Sequence, residues 1–155
     1  MGIFEASIGS ALMSLPLQGK NTSYPTFGII STGSYWDGAL TDGVLGLLGV
    51  SDRTHLRVFE GVRTTGLSAT ELHIVDQSTV SHKVKDATKS LISGGDCKVV
   101  ILGCAGMAGM EDWVREAIVE ELGEDKAEHV TIVDGVKAGL VHLEGIVRIH
   151  PERGL

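Results

Sequence analysis

The chain has 155 residues, of which 43% are hydrophobic, and its formal net charge is -7 at pH 7. This length and apolar content suit one compact domain, residues 1–155, with its own core. The acidic balance argues against a nucleic-acid partner, which needs clustered Lys and Arg, and no apolar run approaches the roughly 20 residues that span a bilayer. We therefore expect a cytoplasmic protein that binds a small molecule, with neither nucleic acid nor membrane as a partner.

Strands and helices alternate in the predicted chain order, after Gly2–Phe4, which could be the tail of a strand. The predicted elements are helix Glu5–Leu15, strand Phe27–Ser31, helix Ala39–Leu48, strand Leu56–Phe59 with its continuation to Val62, helix Val80–Ile92, strand Val99–Gly103, helix Met110–Leu122, strand Val130–Asp134 and helix Val136–Val147. The strands are apolar at consecutive positions, as is typical of strands covered on both faces. The alternation predicts an α/β fold with an open parallel sheet of about four strands and helices on both faces.

The sequence contains two cysteines, Cys97 and Cys104. If both lie on one extended segment they are roughly 23 Å apart, too far for a disulfide, so we expect free thiols in a reducing compartment. Cys97 falls at the entry of a strand, where core filler is the simplest interpretation. Cys104 falls at the exit of the same strand, which needs another explanation.

In an open parallel sheet, ligands gather beyond the carboxyl ends of the strands, and Cys104 falls at such an end. Gly103 lets the chain turn sharply, while Ala105 and Gly106 leave backbone N–H groups unobstructed to face a carbonyl oxygen or a carboxylate. A helix N-terminus directly behind the cysteine would favour thiolate over thiol. Two interpretations remain open at this point, a reactive cysteine and an inert buried one.

A second loop, "IISTGSYWDG", also follows a strand end. Thr32, Gly33 and Ser34 can present hydroxyls and N–H groups to an anion or a polarised carbonyl. The loop resembles in outline the phosphate loop of flavodoxins, which bind flavin mononucleotide. The alternative is a structural turn in which Ser34 or Asp37 caps the next helix.

The other candidate residues give weaker indications of a functional site. The six histidines and the two cysteines show no paired spacing of metal ligands, so we expect no metal site. Arg63 could reach a substrate from another strand end, but an ordinary loop salt bridge is the simpler interpretation. Asp134 precedes the last predicted helix as a cap.

Four segments resemble the Asp/Glu/hydantoin racemase superfamily, in particular its hydantoin and allantoin racemase branch. The segment "VVILGCAGMAGM" looks like the second catalytic-cysteine motif of that branch. "GIFEAS", "GVRTTGLSATEL" and "VTIVDGVKAGL" look like further segments of it. The resemblance covers nearly the whole chain, from Gly2 to about Val147.

The resemblance implies a cofactor-independent protein of two flavodoxin-like α/β lobes with the active site between them. A cysteine from each lobe flanks the acidic carbon of the substrate: one thiolate removes the proton, and the opposite thiol returns one to the other face. Cys104 matches the second of these cysteines. Thr32, Gly33, Ala105 and Gly106 would bind the ring or carboxylate oxygens.

The first cysteine lobe of that family has no counterpart in this sequence, and Cys97 lies on the wrong end of its strand to substitute. The chain thus resembles the second lobe plus the closing helix, and Met1 could be a start codon on a truncated chain. We expect a racemase or epimerase of a hydantoin- or allantoin-like carbon acid. The alternatives are a single-cysteine decarboxylase-type relative, a non-catalytic binding or assembly module, and a flavodoxin-like electron carrier. The mean hydropathy of +0.18 hints at apolar surface and a homo-oligomer.

Overall fold

The computed structural model describes residues 2–16, 24–33, 36–52 and 57–150. Its elements are α1 (Ile3–Ser14), β1 (Thr26–Ser31), α2 (Trp36–Leu48), β2 (Phe59–Thr64), α3 (Glu71–Ile74), α4 (Gln77–Ile92), β3 (Cys97–Leu102), α5 (Glu111–Leu122), α6 (Glu124–Ala127), β4 (Thr131–Asp134) and α7 (Gly135–Ile149). A short 3-10 helix, Ala105–Met107, lies between β3 and α5.

The four strands form one parallel sheet in the order β2-β1-β3-β4. Every residue of the central strand β1 is buried, which explains its uninterrupted apolar run. Because all strands are parallel, their carboxyl ends meet at one edge of the sheet. The predicted α/β fold and its four-stranded parallel sheet are confirmed.

Two hydrophobic clusters cover the two faces of the sheet. On one face, α4 and α5 contribute Val80, Val84, Leu91, Val114 and Ile118. On the other face, α1, α2 and α7 contribute Ala6, Ile8, Ala11, Val44 and Ala138. Helices therefore pack on both faces, as the alternating sequence predicts. Within the described ranges, no helix is both long and apolar enough to cross a membrane.

The main differences from the predicted elements lie at their ends. Gly2–Phe4 is not the tail of a strand, because Ile3 already belongs to α1 and the Gly2 N–H donates to Glu5 Oε2 at 2.8 Å. The second strand begins at Phe59 and continues to Thr64, since its pairing with β1 extends to the carboxyl end of that strand. Leu56 lies outside the described residues.

Asp134 ends β4 and caps α7, as predicted. Its carboxylate accepts hydrogen bonds from the backbone N–H groups of Val136 at 2.7 Å and Lys137 at 3.0 Å. These bonds satisfy two of the N–H groups that the first turn of a helix leaves without a partner. The cap fixes the direction in which the chain leaves the sheet edge.

Candidate functional site

Cys104 lies at the carboxyl end of β3, just beyond the last hydrogen bond to the neighbouring strand. That bond runs from the Gly103 N–H to the Ile30 carbonyl oxygen at 2.8 Å. Cys104 then continues with extended backbone at φ -130° and ψ 133°, and its side chain is partly exposed. The cysteine therefore sits at the edge where open parallel sheets bind ligands.

The helix expected directly behind Cys104 is a 3-10 helix, Ala105–Met107, and α5 begins only at Glu111. Gly109 adopts φ 87°, which an α-helix does not contain, and this separates the short helix from α5. The first hydrogen bond of the turn joins the Met107 N–H to the Cys104 carbonyl at 2.9 Å. The helix N-terminus behind the thiol is thus a single 3-10 turn, and the predicted α-helix Met110–Leu122 follows it as α5. The two N–H groups that follow the cysteine still precede this first bond and have no partner within the turn.

A cavity of about 570 Å³ opens beside Cys104 at the carboxyl edge of the sheet. Its walls come from the ends of β1 and β3, from α2, and from the loop after β2. The lining residues are Ser31, Thr32, Gly33, Trp36, Leu40, Ser68, Ala69, Thr70, Gly103 and Cys104. Four of these side chains carry hydroxyl groups, which can donate to oxygens of a small polar ligand.

The structure brings most of the predicted site residues together. Thr32, Gly33 and Cys104 line the same cavity. Gly106 lies against the cysteine, because a Cβ atom on it would be 3.7 Å from Cys104 Sγ. Ala105 lines an adjacent cavity of about 430 Å³ whose walls are mainly apolar. Ser34 lies outside the described residues.

The loop after β2 forms a wall of the cavity that the sequence did not single out residue by residue. Ser68, Ala69 and Thr70 line the cavity from this loop. The loop is tied to β1 through the Gly33 N–H, which donates to the Leu67 carbonyl at 2.6 Å. The loop follows a strand end within the segment "GVRTTGLSATEL", and this position in the sequence is the feature that could have predicted these residues as part of the site.

Arg63 does not line the cavity among the described residues. Its Nε donates to Ser90 Oγ at 3.1 Å, and Nη1 donates to the Val62 carbonyl at 3.0 Å. The bond to Ser90 ties β2 to α4. Arg63 forms no salt bridge with any described residue, so its structural role rests on these hydrogen bonds and not on the expected loop salt bridge.

Cys97 lies at the opposite end of β3 and is 1% exposed. Burial, with a smaller contribution from the charge of Glu60, raises the pKa of the Cys97 thiol to about 12. Its Sγ contacts the Val99 carbonyl oxygen at 3.4 Å. These features agree with the interpretation of Cys97 as core filler. Over the part of the chain that the structure describes, no cluster of three His, Cys, Asp or Glu residues could hold a metal ion.

An ion pair joins the first turns of α5 and α7 at the same edge of the sheet. Lys137 Nζ bonds to Glu111 Oε1, and this hydrogen bond is the main cause that lowers the pKa of Glu111. The pair links the segment behind Cys104 to the start of the last helix. Because Lys137 is largely exposed, the pair contributes little to overall stability.

Comparison with known proteins places this geometry in context. The family described as Asp/Glu/Hydantoin racemase matches residues 1–143. An uncharacterized protein of Schizosaccharomyces pombe is 31% identical over 149 residues, which cover 96% of this chain and 53% of that protein.

Two solved structures are similar in fold. Allantoin racemase from Pseudomonas fluorescens superimposes with a TM-score of 0.67 at 25% identity, over 95% of this chain and 52% of that one. A glutamate racemase from Bacillus anthracis superimposes with a TM-score of 0.61 at 21% identity, over 96% of this chain and 48% of that one. The chain thus spans about half the length of these relatives.

Proposed function

The chain belongs to the Asp/Glu/hydantoin racemase family, and we propose that it is the part of a cofactor-independent racemase or epimerase that supplies one of two catalytic cysteines. The substrate is a hydantoin- or allantoin-like carbon acid. The observation that carries the proposal is the position of Cys104, partly exposed in the wall of a cavity lined with hydroxyl groups.

In this proposal the Cys104 thiolate removes the proton from the substrate carbon next to a carbonyl group. The negative charge that develops on the carbonyl oxygen needs donors aimed at it. The donors that we assign to this role are the hydroxyl of Thr32, which lines the cavity, and the N–H groups of Ala105 and Gly106, which directly follow the cysteine in the chain. A base close to the proton and an oxygen site beside it are what enolate formation requires.

Inversion of the carbon requires a second acid on the opposite face of the substrate. Cys97 cannot supply it, because it is buried at the other end of β3. We assign the second acid to a region outside this sequence, which matches only about half of the related racemases. The other half of the site would complete the walls around the substrate.

A second candidate function is a binding or assembly module without turnover. Several large apolar side chains of α7 are exposed, among them Leu140 at 62%, Val141 at 67% and Ile149 at 74%. Exposed apolar surface of this kind favours association. This observation also supports the expectation of a homo-oligomer, which sedimentation measures directly.

The reaction class is tested by offering the protein and its Cys104→Ser variant three enantiopure or prochiral carbon acids. We expect Cys104-dependent deuterium exchange at the acidic carbon of a 5-substituted hydantoin or of allantoin, measured by NMR, with loss of optical rotation only where the second acid is also supplied. Cys104-dependent release of carbon dioxide from a substituted malonic acid would favour the decarboxylase-type alternative, because that reaction passes through a similar carbanion. No Cys104-dependent change in any substrate, together with self-association, would favour the assembly module.

A further inference from the structure

His73 and Cys104 approach each other across Gly106. A Cβ atom on Gly106 would lie 3.6 Å from His73 Nε2 and 3.7 Å from both Cys104 Sγ and the Ala69 carbonyl oxygen, so these three polar atoms lie around one point. We propose that His73 accepts the proton of the Cys104 thiol, by direct approach or through one water, and so maintains the cysteine as a thiolate. This inference rests on the proposed role of Cys104 as a base.

The position of His73 is fixed by its neighbours on α3. Leu72 is buried and belongs to the same hydrophobic cluster as Met107, which ends the short helix behind Cys104. The Ser68 N–H donates to Glu71 Oε2 at 2.8 Å, and the Glu71 N–H donates to Ser68 Oγ at 3.2 Å. These reciprocal bonds anchor the start of α3. The backbone of His73 is therefore anchored by the packing of Leu72 and by the bonds between Ser68 and Glu71.

The His73 side chain is exposed, which gives its ring access to solvent while Nε2 faces Gly106. No side chain comes between the imidazole and the thiol at this point, because residue 106 is a glycine. A larger residue there would occupy the space that the two groups share. The arrangement favours transfer of a proton from the thiol to the ring and from the ring to water.

Three carboxylates on α3 and at the starts of α4 and α5 already have partners. Glu71 accepts a hydrogen bond from the Ser68 N–H. The Asp76 carboxylate accepts hydrogen bonds from the Ser78 hydroxyl and the Thr79 N–H. Glu111, at the start of α5, is paired with Lys137. These carboxylates are therefore engaged away from the thiol, and the imidazole is the group that we assign as its proton acceptor.

The proton transfer balances within the pair. The Sγ–H bond breaks, its proton binds to the lone pair of Nε2, and a thiolate and an imidazolium result. This step requires the tautomer of neutral His73 that carries its proton on Nδ1. When the thiolate has taken a proton from the substrate, the imidazolium releases the proton that it already holds to solvent. The neutral ring can then accept the new thiol proton, which restores the thiolate.

The test is the rate at which iodoacetamide alkylates Cys104 at about pH 7, since only the thiolate reacts. We expect the rate constant of His73→Gln to be about tenfold lower than that of the wild type. The matched control is His82→Gln, which removes an exposed histidine paired with Asp86 on α4 and should leave the rate unchanged.

Chemical rescue distinguishes proton transfer by His73 from a purely structural role of this residue. In His73→Ala, imidazole added to the buffer should raise the alkylation rate in proportion to its concentration. An alkylation rate in His73→Gln equal to that of the wild type would overturn the inference, and so would an absence of rescue in His73→Ala.

Failure of this inference and failure of the proposed function give different results. If His73→Gln alkylates slowly but the wild type turns over no carbon acid, the thiol and imidazole pair stands and the proposed reaction fails. If turnover depends on Cys104 but the alkylation rate of Cys104 does not depend on His73, the proposed reaction is supported and the proposed role of His73 is wrong.

Discussion

Gly103 lies so close to Ile29 of the neighbouring strand that a Cβ atom on it would be 2.5 Å from Ile29 Cγ2. We expect Gly103→Ala to lower the free energy of unfolding by about 1–3 kcal/mol, because the added methyl overpacks the sheet edge beside Cys104. The matched control is Gly145→Ala on α7, where a Cβ meets nothing within 4 Å. There the change should be neutral or stabilising by up to about 1 kcal/mol. Urea denaturation of both variants measures the difference, and equal free energies would contradict the packing argument.

Thr32→Val removes a hydroxyl from the cavity with little change in volume. If this hydroxyl donates to the oxygen on which negative charge develops, kcat should fall about tenfold to a hundredfold while KM changes little, since the lost hydrogen bond is stronger in the transition state than in the bound substrate. Thr88→Val is the control, because Thr88 is buried on α4 and donates to the Val84 carbonyl at 2.8 Å. An unchanged kcat in Thr32→Val would exclude this hydroxyl as a donor to the developing charge.

The two cysteines should differ sharply in reactivity. Burial raises the pKa of Cys97 to about 12, so this thiol stays protonated and shielded in the folded protein, whereas Cys104 is partly exposed. We expect peptide mass spectrometry to find iodoacetamide on Cys104 alone under native conditions, and on both cysteines in denaturant. Rapid native labelling of Cys97 would show that the entry of β3 opens to solvent.

Asp76 gives the stability a defined pH dependence in acid. The Ser78 hydroxyl and the Thr79 side chain and N–H lower its pKa from 3.8 to about 2. Since the folded pKa is the lower one, the carboxylate stabilises the fold above about pH 4, and this contribution is lost as the pH falls towards about 2. Asp76→Asn should therefore lose stability less steeply than the wild type across that range in chemical denaturation. Equal slopes of the free energy of unfolding against pH in the two proteins would contradict the role of Asp76.

Much of the fold follows from the sequence because the sheet is buried on both faces. The consecutive apolar residues of β1 and β3 predict parallel strands, and Asp134 predicts the cap of α7. The position of Cys104 at a ligand-binding edge then follows from parallel topology. The family resemblance assigns the same residue and is confirmed at the level of the family.

The surroundings of Cys104 could not be predicted in the same way. α3 has four residues, too few for an apolar period, and its approach to the cysteine depends on the bond between Gly33 and Leu67. The proximity of His73 and Cys104, which are far apart in sequence, arises only when that loop folds over the sheet edge. The 3-10 helix behind Cys104 was missed because its termination at Gly109 depends on a backbone angle that the sequence does not specify.

The central claim is that the Cys104 thiol acts as a base toward a carbon acid, and hydrogen–deuterium exchange tests it most directly. An enantiopure 5-substituted hydantoin is incubated in D₂O with the wild type, with Cys104→Ser and with Cys97→Ser, and deuterium at the acidic carbon is followed by NMR with polarimetry in parallel. We predict that the wild type and Cys97→Ser catalyse exchange and that Cys104→Ser does not. Exchange that survives in Cys104→Ser, or that is absent from the wild type, would contradict the account.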